Sequence, residues 1–468
     1  MDGFRSFRFF TRGLTQLGLT VVWTHAMTAS LAVMLVPTPA VEAAESTHQR
    51  LRLPQILNWK EIDNQFDYTK FSRKCCQRRG PVKVAILDNG FLTYEQELGH
   101  TIPANTVYHE GPDTGEDSTE WHGTLVAQLV SHVVQKTVGL DRMELHLFNT
   151  YGFPRFKAAV DEVIKEKFDI VIHAQVFEFG SNGDGHGFVN AVVNEAAHHG
   201  IIWINAVGDF NGLMYIGRYN KKENSSWIHL PGPRESVRIR CVSVPEPTLN
   251  TSESRASKHT TALKKAKTCP LSLILTWDKV PNKTEVGTKN DLDLYLYDQN
   301  EKLIASSTLK QKETGADFEK NQSYYPREEI ELSLKPGEYH ARVLWRGGSF
   351  SHSDVFWLTA WGNGIVMIDN TPGDSVLSPA DNQFVLAVGA SDAPPSGVSE
   401  RLHRPHLKLM SRLVWPHHQF PSASSIATGL AGGAAVAALA IGTPENVEAV
   451  YLEIKKSLRK NSRDRQTL

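Results

Sequence analysis

The stretch Pro81-Val-Lys-Val-Ala-Ile-Leu-Asp88-Asn-Gly90 decides the fold. A β-branched, apolar run that stops at an Asp-Asn-Gly turn signal reads as a short buried strand. It is apolar on both faces, so both faces need cover, which marks a parallel sheet wrapped by helices. The neighbouring segments keep the alternation going. Residues 143–148, 169–173 and 201–207 read as further strands. His122-Gly-Thr-Leu-Val-Ala127 starts as a loop and runs into a helix, and 153–167 and 187–199 read as helices.

The pattern changes after Asn211. Leu271-Ser-Leu-Ile-Leu-Thr-Trp277, Asp291-Leu-Asp-Leu-Tyr-Leu-Tyr297, Glu329-Ile-Glu-Leu-Ser-Leu334 and Glu338-Tyr-His-Ala-Arg-Val-Leu344 alternate with period two between Gly, Pro and Asn punctuation. Such spacing predicts an antiparallel sandwich. The one helix-like stretch there is the basic, Ser/Thr-rich 251–267. Phe384-Val-Leu-Ala-Val-Gly389 returns to a buried strand, 427–441 reads as a small-residue helix, and Thr443-Pro444-Glu445 reads as the cap of a final helix. The expected fold is therefore α/β, a parallel sheet covered by helices and interrupted by an inserted all-β sandwich.

The N-terminus has Arg5, Arg8 and Arg12, then no charge from Gly13 to Val41, then Pro37, Pro39 and small residues. That order predicts a secretory signal over 1–43, with Val41 and Ala43 before the cut; an uncleaved anchor is the alternative. The expected divisions are a linker over 44–80, a first α/β part over 81–214, the insertion over 215–370, a second α/β part over 371–457 and a polar tail over 458–468. The mature chain is expected outside the cytoplasm, secreted, periplasmic or in the cell envelope, without stable membrane association. The linker is too short to fold as a separate domain with its own core. In an oxidising compartment Cys75, Cys76, Cys241 and Cys269 can pair; adjacent Cys75 and Cys76 would strain a mutual bridge, and one cysteine from each set can join. Lys plus Arg is 50 against 51 Asp plus Glu, so the chain lacks the charge footprint of a nucleic-acid binder.

Three short segments carry the chemistry. An acyl-transfer triad needs a serine oxygen, a histidine to take its proton and a carboxylate to orient that histidine. Asp88 ends a buried strand, His122 opens a helix and Ser425 opens another. The N-terminus of a helix also favours a developing oxyanion. The order Asp, His, Ser is that of subtilisin.

Val84-Ala-Ile-Leu-Asp88-Asn-Gly90, His122-Gly-Thr-Leu-Val-Ala127 and Ala423-Ser-Ser425-Ile-Ala-Thr428 resemble the Asp, His and Ser motifs of the subtilases, the subtilisin-like serine peptidases. The resemblance spans 81–211 and 371–457, and the β block resembles the pre-peptidase C-terminal-type sandwich. It implies a serine endopeptidase acting on peptide or protein substrates, with Asp88, His122 and Ser425 as triad and 174–177 as the strand that pairs with substrate backbone. There Ala174-Gln175-Val176-Phe177 replaces Ser-Leu-Gly-Gly, and the bulk of Val176 and Phe177 is expected to narrow the cleft or reshape the primary specificity pocket.

Other departures concern rate. Val207-Gly208-Asp209 carries Asp209 where the family has an oxyanion-donating Asn. An ionised carboxylate donates nothing; a protonated one could, which would favour mildly acid pH. Asn205 and Asn211 are poor substitutes by position. Ala423-Ser424 replaces Gly-Thr, and Gly429 stands where the motif has Pro. The rival readings are a catalytically impaired pseudopeptidase that binds peptides or proteins, and an esterase or amidase on the same scaffold. No cofactor and no metal are expected. Asp291 and Asp293 are the residues that could take a structural calcium, while His198-His199, His417-His418 and the Lys264-Lys265-Ala-Lys267 cluster read as surface.

Overall fold

The computed structural model describes residues 59–72, 78–114, 120–221, 224–243, 268–284, 286–313, 321–373, 375–391, 406–409, 423–442 and 444–459. The signal segment, Cys75, Cys76, 251–267, His417, His418 and most of the tail lie outside them.

The protein is mixed α/β. Strands β1 (Val82–Asp88), β2 (Val107–His109), β3 (Met143–Asn149), β4 (Ile170–His173) and β5 (Ile202–Ala206) come first. Next are β6 (Met214–Arg218), β7 (Val237–Cys241), β8 (Cys269–Trp277), β9 (Asp291–Asp298), β10 (Leu303–Ser307) and β11 (Lys310–Gln311). They are followed by β12 (Gln322–Ser323), β13 (Arg327–Leu334), β14 (Gly337–Gly347), β15 (Val355–Trp361) and β16 (Ile365–Met367), and β17 (Val385–Ala390) and β18 (His406–Leu409) close the series. The helices are α1 (Trp59–Asn64), α2 (Thr69–Ser72), α3 (His122–Thr137), α4 (Phe153–Lys165), α5 (Phe188–His198), α6 (Ala423–Ile441) and α7 (Val447–Ser457).

Seven strands form one sheet in the order β18-β17-β5-β4-β1-β3-β2, every neighbouring pair parallel. β4, β5 and β17 are buried along their whole length, as expected of strands covered on both faces. Two antiparallel sheets, β10-β9-β14-β7-β16 and β13-β8-β15-β6, are built from the alternating segments. Leu294, Val343 and Ile239 of one sheet and Leu273, Leu275 and Phe356 of the other lie in a single buried cluster. A disulfide joins Cys241 to Cys269, within the later pair of cysteines rather than across the two sets. The ends of β7 and β8 bring these two residues together across a 28-residue excursion of chain, a proximity that sequence spacing does not reveal.

α6 is the central helix of the fold. Residues 424–441 are long and apolar enough to cross a bilayer, yet all of that length is buried inside the protein, packed against α3, α7, β5 and β17. Small residues make this possible. A methyl group on Gly433 would lie 2.7 Å from the Val130 carbonyl oxygen of α3, and one on Gly429 3.0 Å from Leu129 Cβ. Gly429 therefore sets the closeness of two helices. α6 begins at Ala423, so Ser424 and Ser425 lie in its first turn, and α7 is capped by Asn446, not by Thr443-Pro444-Glu445. The Asn446 side chain accepts from the Ala449 amide at 2.9 Å, satisfying one of the helix's orphan N–H groups.

Candidate active site

Three neighbouring strands, β5, β4 and β1, end side by side, with Leu87 beside His173 and His173 beside Asn205. Their carboxyl ends release Asp88, the 174–177 segment and the 207–210 turn at one edge of the sheet, the usual place for a site in a parallel sheet.

Asp88 is fully buried. Thr150 fixes the end of its strand, donating its amide (2.8 Å) and hydroxyl (3.1 Å) to the Asp88 carbonyl. The carboxylate accepts from the Asn89 amide at 2.8 Å and from His122 Nδ1, which lies 2.9 Å from both oxygens. His122 is the first residue of α3. Gly123 allows that helix to start so close to β1: a Cβ there would fall 2.5 Å from Phe91, 2.7 Å from the Gly90 carbonyl oxygen and 2.8 Å from Asp88 Cβ. The backbone oxygen cannot move aside cheaply. Gly123→Ala is therefore expected to cost about 1–3 kcal/mol by overpacking and to displace His122 from Asp88. A urea melt reads the first effect and the His122 ring resonances the second; an unchanged melt with unchanged resonances refutes the account.

Burial pushes the His122 imidazole down, but the Asp88 charge and hydrogen bond, with Glu120 and Asp209 adding to them, outweigh burial and hold it above its ordinary range. Gln175 adds a contact that its reading as a backbone-pairing residue missed. Its Nε2 lies 3.2 Å from Asp88 Oδ1 and 3.2 Å from His122 Nδ1. The Nδ1 proton belongs to the carboxylate, so the amide donates to Asp88 Oδ1 as well.

Ser425 lies in the first turn of α6, buried, and its hydroxyl donates to the Ala174 carbonyl at 2.9 Å. Asp209 faces the same helix end. Its Oδ1 accepts from the Ser424 amide at 3.1 Å, so a carboxylate sits where a helix N-terminus attracts an anion. Among the described residues the buried Ser424 hydroxyl has no hydrogen-bond partner. Ala174, Gln175 and Val176 follow β4 directly. The carbonyl of Gln175 is held by the Asn205 amide nitrogen at 2.9 Å, which also reaches the Ala206 carbonyl at 2.8 Å. Both hydrogens of Asn205 are thus spent, and it has none left for an oxyanion. Sequence reading missed this anchoring role; an Asn in the middle of an apolar strand was the available signal.

In the antiparallel sheets Asp293 accepts from Tyr295 at 3.2 Å and pairs with Arg346 at 3.1 Å. Among the described residues no three or more His, Cys, Asp or Glu side chains are grouped to hold a metal ion.

No protein-family model matches the chain, and no curated protein matches it. Among solved structures it is similar to the CspB protease of Clostridium perfringens, at 9% identity and a TM-score of 0.41, over 76% of this chain and 83% of that one. It is also similar to a lanthipeptide protease, at 18% identity and a TM-score of 0.24, over 34% of this chain and 51% of that one.

Proposed function

We propose that this protein is an exported serine endopeptidase of the subtilisin-like kind, with 215–370 as an inserted β-sandwich. The observation that carries the reading is the buried Asp88 carboxylate on His122 Nδ1 at the edge of the sheet that also releases 174–177 and 207–210, with Ser425 hydrogen-bonded to the first of these segments. In this reading Ser425 Oγ attacks the peptide carbonyl carbon and its proton passes to His122. The C–N bond then breaks as His122 returns the proton to the departing amine, leaving an acyl-serine. Water repeats the sequence and restores the serine. Asp88 holds the imidazole in the tautomer that leaves Nε2 free to accept. Because the one hydroxyl proton of Ser425 is donated to Ala174, the serine must turn before His122 can take it. The Cys241–Cys269 disulfide supports the exported location.

The Asp209 carboxylate at the start of α6 favours a second reading, a peptide-binding pseudopeptidase. A fluorophosphonate probe at pH 8 separates the two. Wild type is expected to label and Ser425→Ala to lose all labelling; a well-folded wild type that stays unlabelled refutes the peptidase.

A further inference from the structure

Three donors converge on one oxygen of the Asp88 carboxylate. Oδ1 accepts from the Asn89 amide at 2.8 Å and from His122 Nδ1 at 2.9 Å, and the Gln175 side-chain nitrogen lies 3.2 Å away. The same nitrogen lies 3.2 Å from His122 Nδ1. The geometry fixes which end of the carboxamide points inward. Its oxygen at that place would face the carboxylate acceptor to acceptor, and the Nδ1 proton it could take is already held between two charged oxygens at 2.9 Å. Asp88 is fully buried and the His122 side chain is 16% exposed, so little water screens the contact. The backbone that delivers Gln175 is anchored. Its carbonyl accepts from Asn205 Nδ2 at 2.9 Å, and the carbonyl of its neighbour Ala174 accepts from the Ser425 hydroxyl at 2.9 Å. Two successive residues just beyond β4 thus touch the serine and the Asp88–His122 pair.

We propose that Gln175 is a positioning residue for His122: its amide occupies part of Asp88 Oδ1 and so limits how strongly the carboxylate holds a protonated imidazole. The proposal deepens the reading of Asp88 and His122 given above and rests on it. Two effects act in the same sense. A donor on the carboxylate spreads its charge and competes with the imidazole N–H for one oxygen. The amide hydrogens also carry partial positive charge beside Nδ1, which disfavours the imidazolium. The charged groups that act on His122 are Asp88 from β1, Glu120 from the segment before α3 and Asp209 from the turn after β5, and all three favour its protonation. His173 at the end of β4 feels the Asp88 charge too, but burial keeps it uncharged down to about pH 4. Gln175 opposes protonation without carrying a charge, so its effect does not depend on pH.

The test is the titration midpoint of the His122 ring in full-length protein, followed by NMR and assigned by its loss in His122→Gln. Gln175→Met keeps the length of the side chain and removes the donor. It is expected to move the midpoint up by about half a pH unit or more, roughly threefold in proton affinity. Phe179 packs on Phe177 and Phe188 in the same segment. Phe179→Leu loosens that packing without removing a donor and is expected to leave the midpoint in place. A midpoint that stays or falls in Gln175→Met overturns the proposal, and so does an equal rise in Phe179→Leu, which would trace the effect to loosened packing. If Gln175→Met does not fold, Gln175→Asn takes its place: the amide is kept but stops one methylene short of the carboxylate, and the same upward move is expected, an unmoved midpoint again overturning the proposal. The midpoint is read without substrate or turnover, and fluorophosphonate labelling of wild type reports separately on the peptidase reading. A midpoint that moves as expected in a protein that stays unlabelled sinks the peptidase alone, and labelling with an unmoved midpoint sinks this inference alone.

Discussion

Asp209→Asn is expected to raise the rate of fluorophosphonate labelling and of peptide hydrolysis by about 10²–10³, the scale on which one oxyanion donor contributes. In the wild type a carboxylate accepts the Ser424 amide at the start of α6, where an oxyanion would otherwise be welcomed. An amide at that position removes the negative charge and supplies N–H donors. A second consequence fixes the sign of a pH effect. In the proposed peptidase His122 must be neutral to accept the serine proton, so the rate is expected to rise with pH through the raised imidazole pKa. Asp209 is one of the charges that raise it. Removing that charge therefore moves the acid limb of the rate profile to lower pH. Stability is expected to move the other way, falling by about 0.3–1 kcal/mol as a favourable anion leaves a helix N-terminus. A variant as slow as wild type, or an acid limb that moves upward, would show that Asp209 does not govern the site.

The same arithmetic bears on acid activation of the wild type. A protonated Asp209 could donate to an oxyanion, as its position in the sequence suggested. Yet acidification protonates His122, whose pKa is raised, and an imidazolium cannot accept the serine proton. The two requirements pull in opposite directions, so acidification cannot restore what the Asn would supply.

The parts of this arrangement that sequence exposed share one property: their signal is local. An apolar run ending in Asp88-Asn-Gly90 must be a buried strand, whoever its neighbours are, and the three motif segments carry their own turn and helix starts. What stayed hidden depends on partners distant in the chain. Gln175 reaches the Asp88–His122 pair only because β4 ends beside β1. Asn205 holds Gln175 only because β5 ends beside β4. The disulfide likewise follows from where β7 and β8 end. The α7 cap shows a different limit. Thr443-Pro444-Glu445 imitates a helix start, but Asn446 offers the acceptor at the spacing the Ala449 amide needs, and the geometry of the turn decides between them. Five strands of the parallel sheet were legible, and its edge strands β2 and β18 were not, since three and four residues carry too little pattern; the packing of Trp357 beside Phe210 and Met214 was hidden too, because that residue comes from a different sheet.

Asn205→Leu is expected to remove about 3–6 kcal/mol of stability. Asn205 is fully buried and joins four groups: its Oδ1 accepts from His173 Nδ1 at 2.7 Å and Trp203 Nε1 at 3.0 Å, and its Nδ2 donates to the Gln175 and Ala206 carbonyls. Leucine fills the same space and leaves His173, Trp203 and Gln175 without those partners. Each buried orphan costs about 1–3 kcal/mol, so three of them outweigh any gain from the apolar side chain. The network also contributes to the pH dependence of stability. Burial pushes His173 down to about 4, opposed only in part by the Asn205 hydrogen bond and the Asp88 charge. Between the ordinary histidine value and that lowered one, the unfolded chain binds a proton that the folded protein refuses. The His173 contribution to stability therefore falls as pH falls through this window, by about 3 kcal/mol for a shift of that size. Burial also raises Glu178 to about 7 and Glu328 to about 8, and these carboxyls act with the opposite sign over the same range. The His173 contribution is therefore read as the change in urea midpoint between pH 7 and pH 4.5 in wild type less the same change in His173→Gln, and the midpoint of Asn205→Leu at pH 7 reads the cost of the orphaned groups. An equal change in wild type and His173→Gln would mean that His173 takes up its proton without unfolding, and an Asn205→Leu protein within 1 kcal/mol of wild type would mean that the four hydrogen bonds do not hold the 174–177 segment in place.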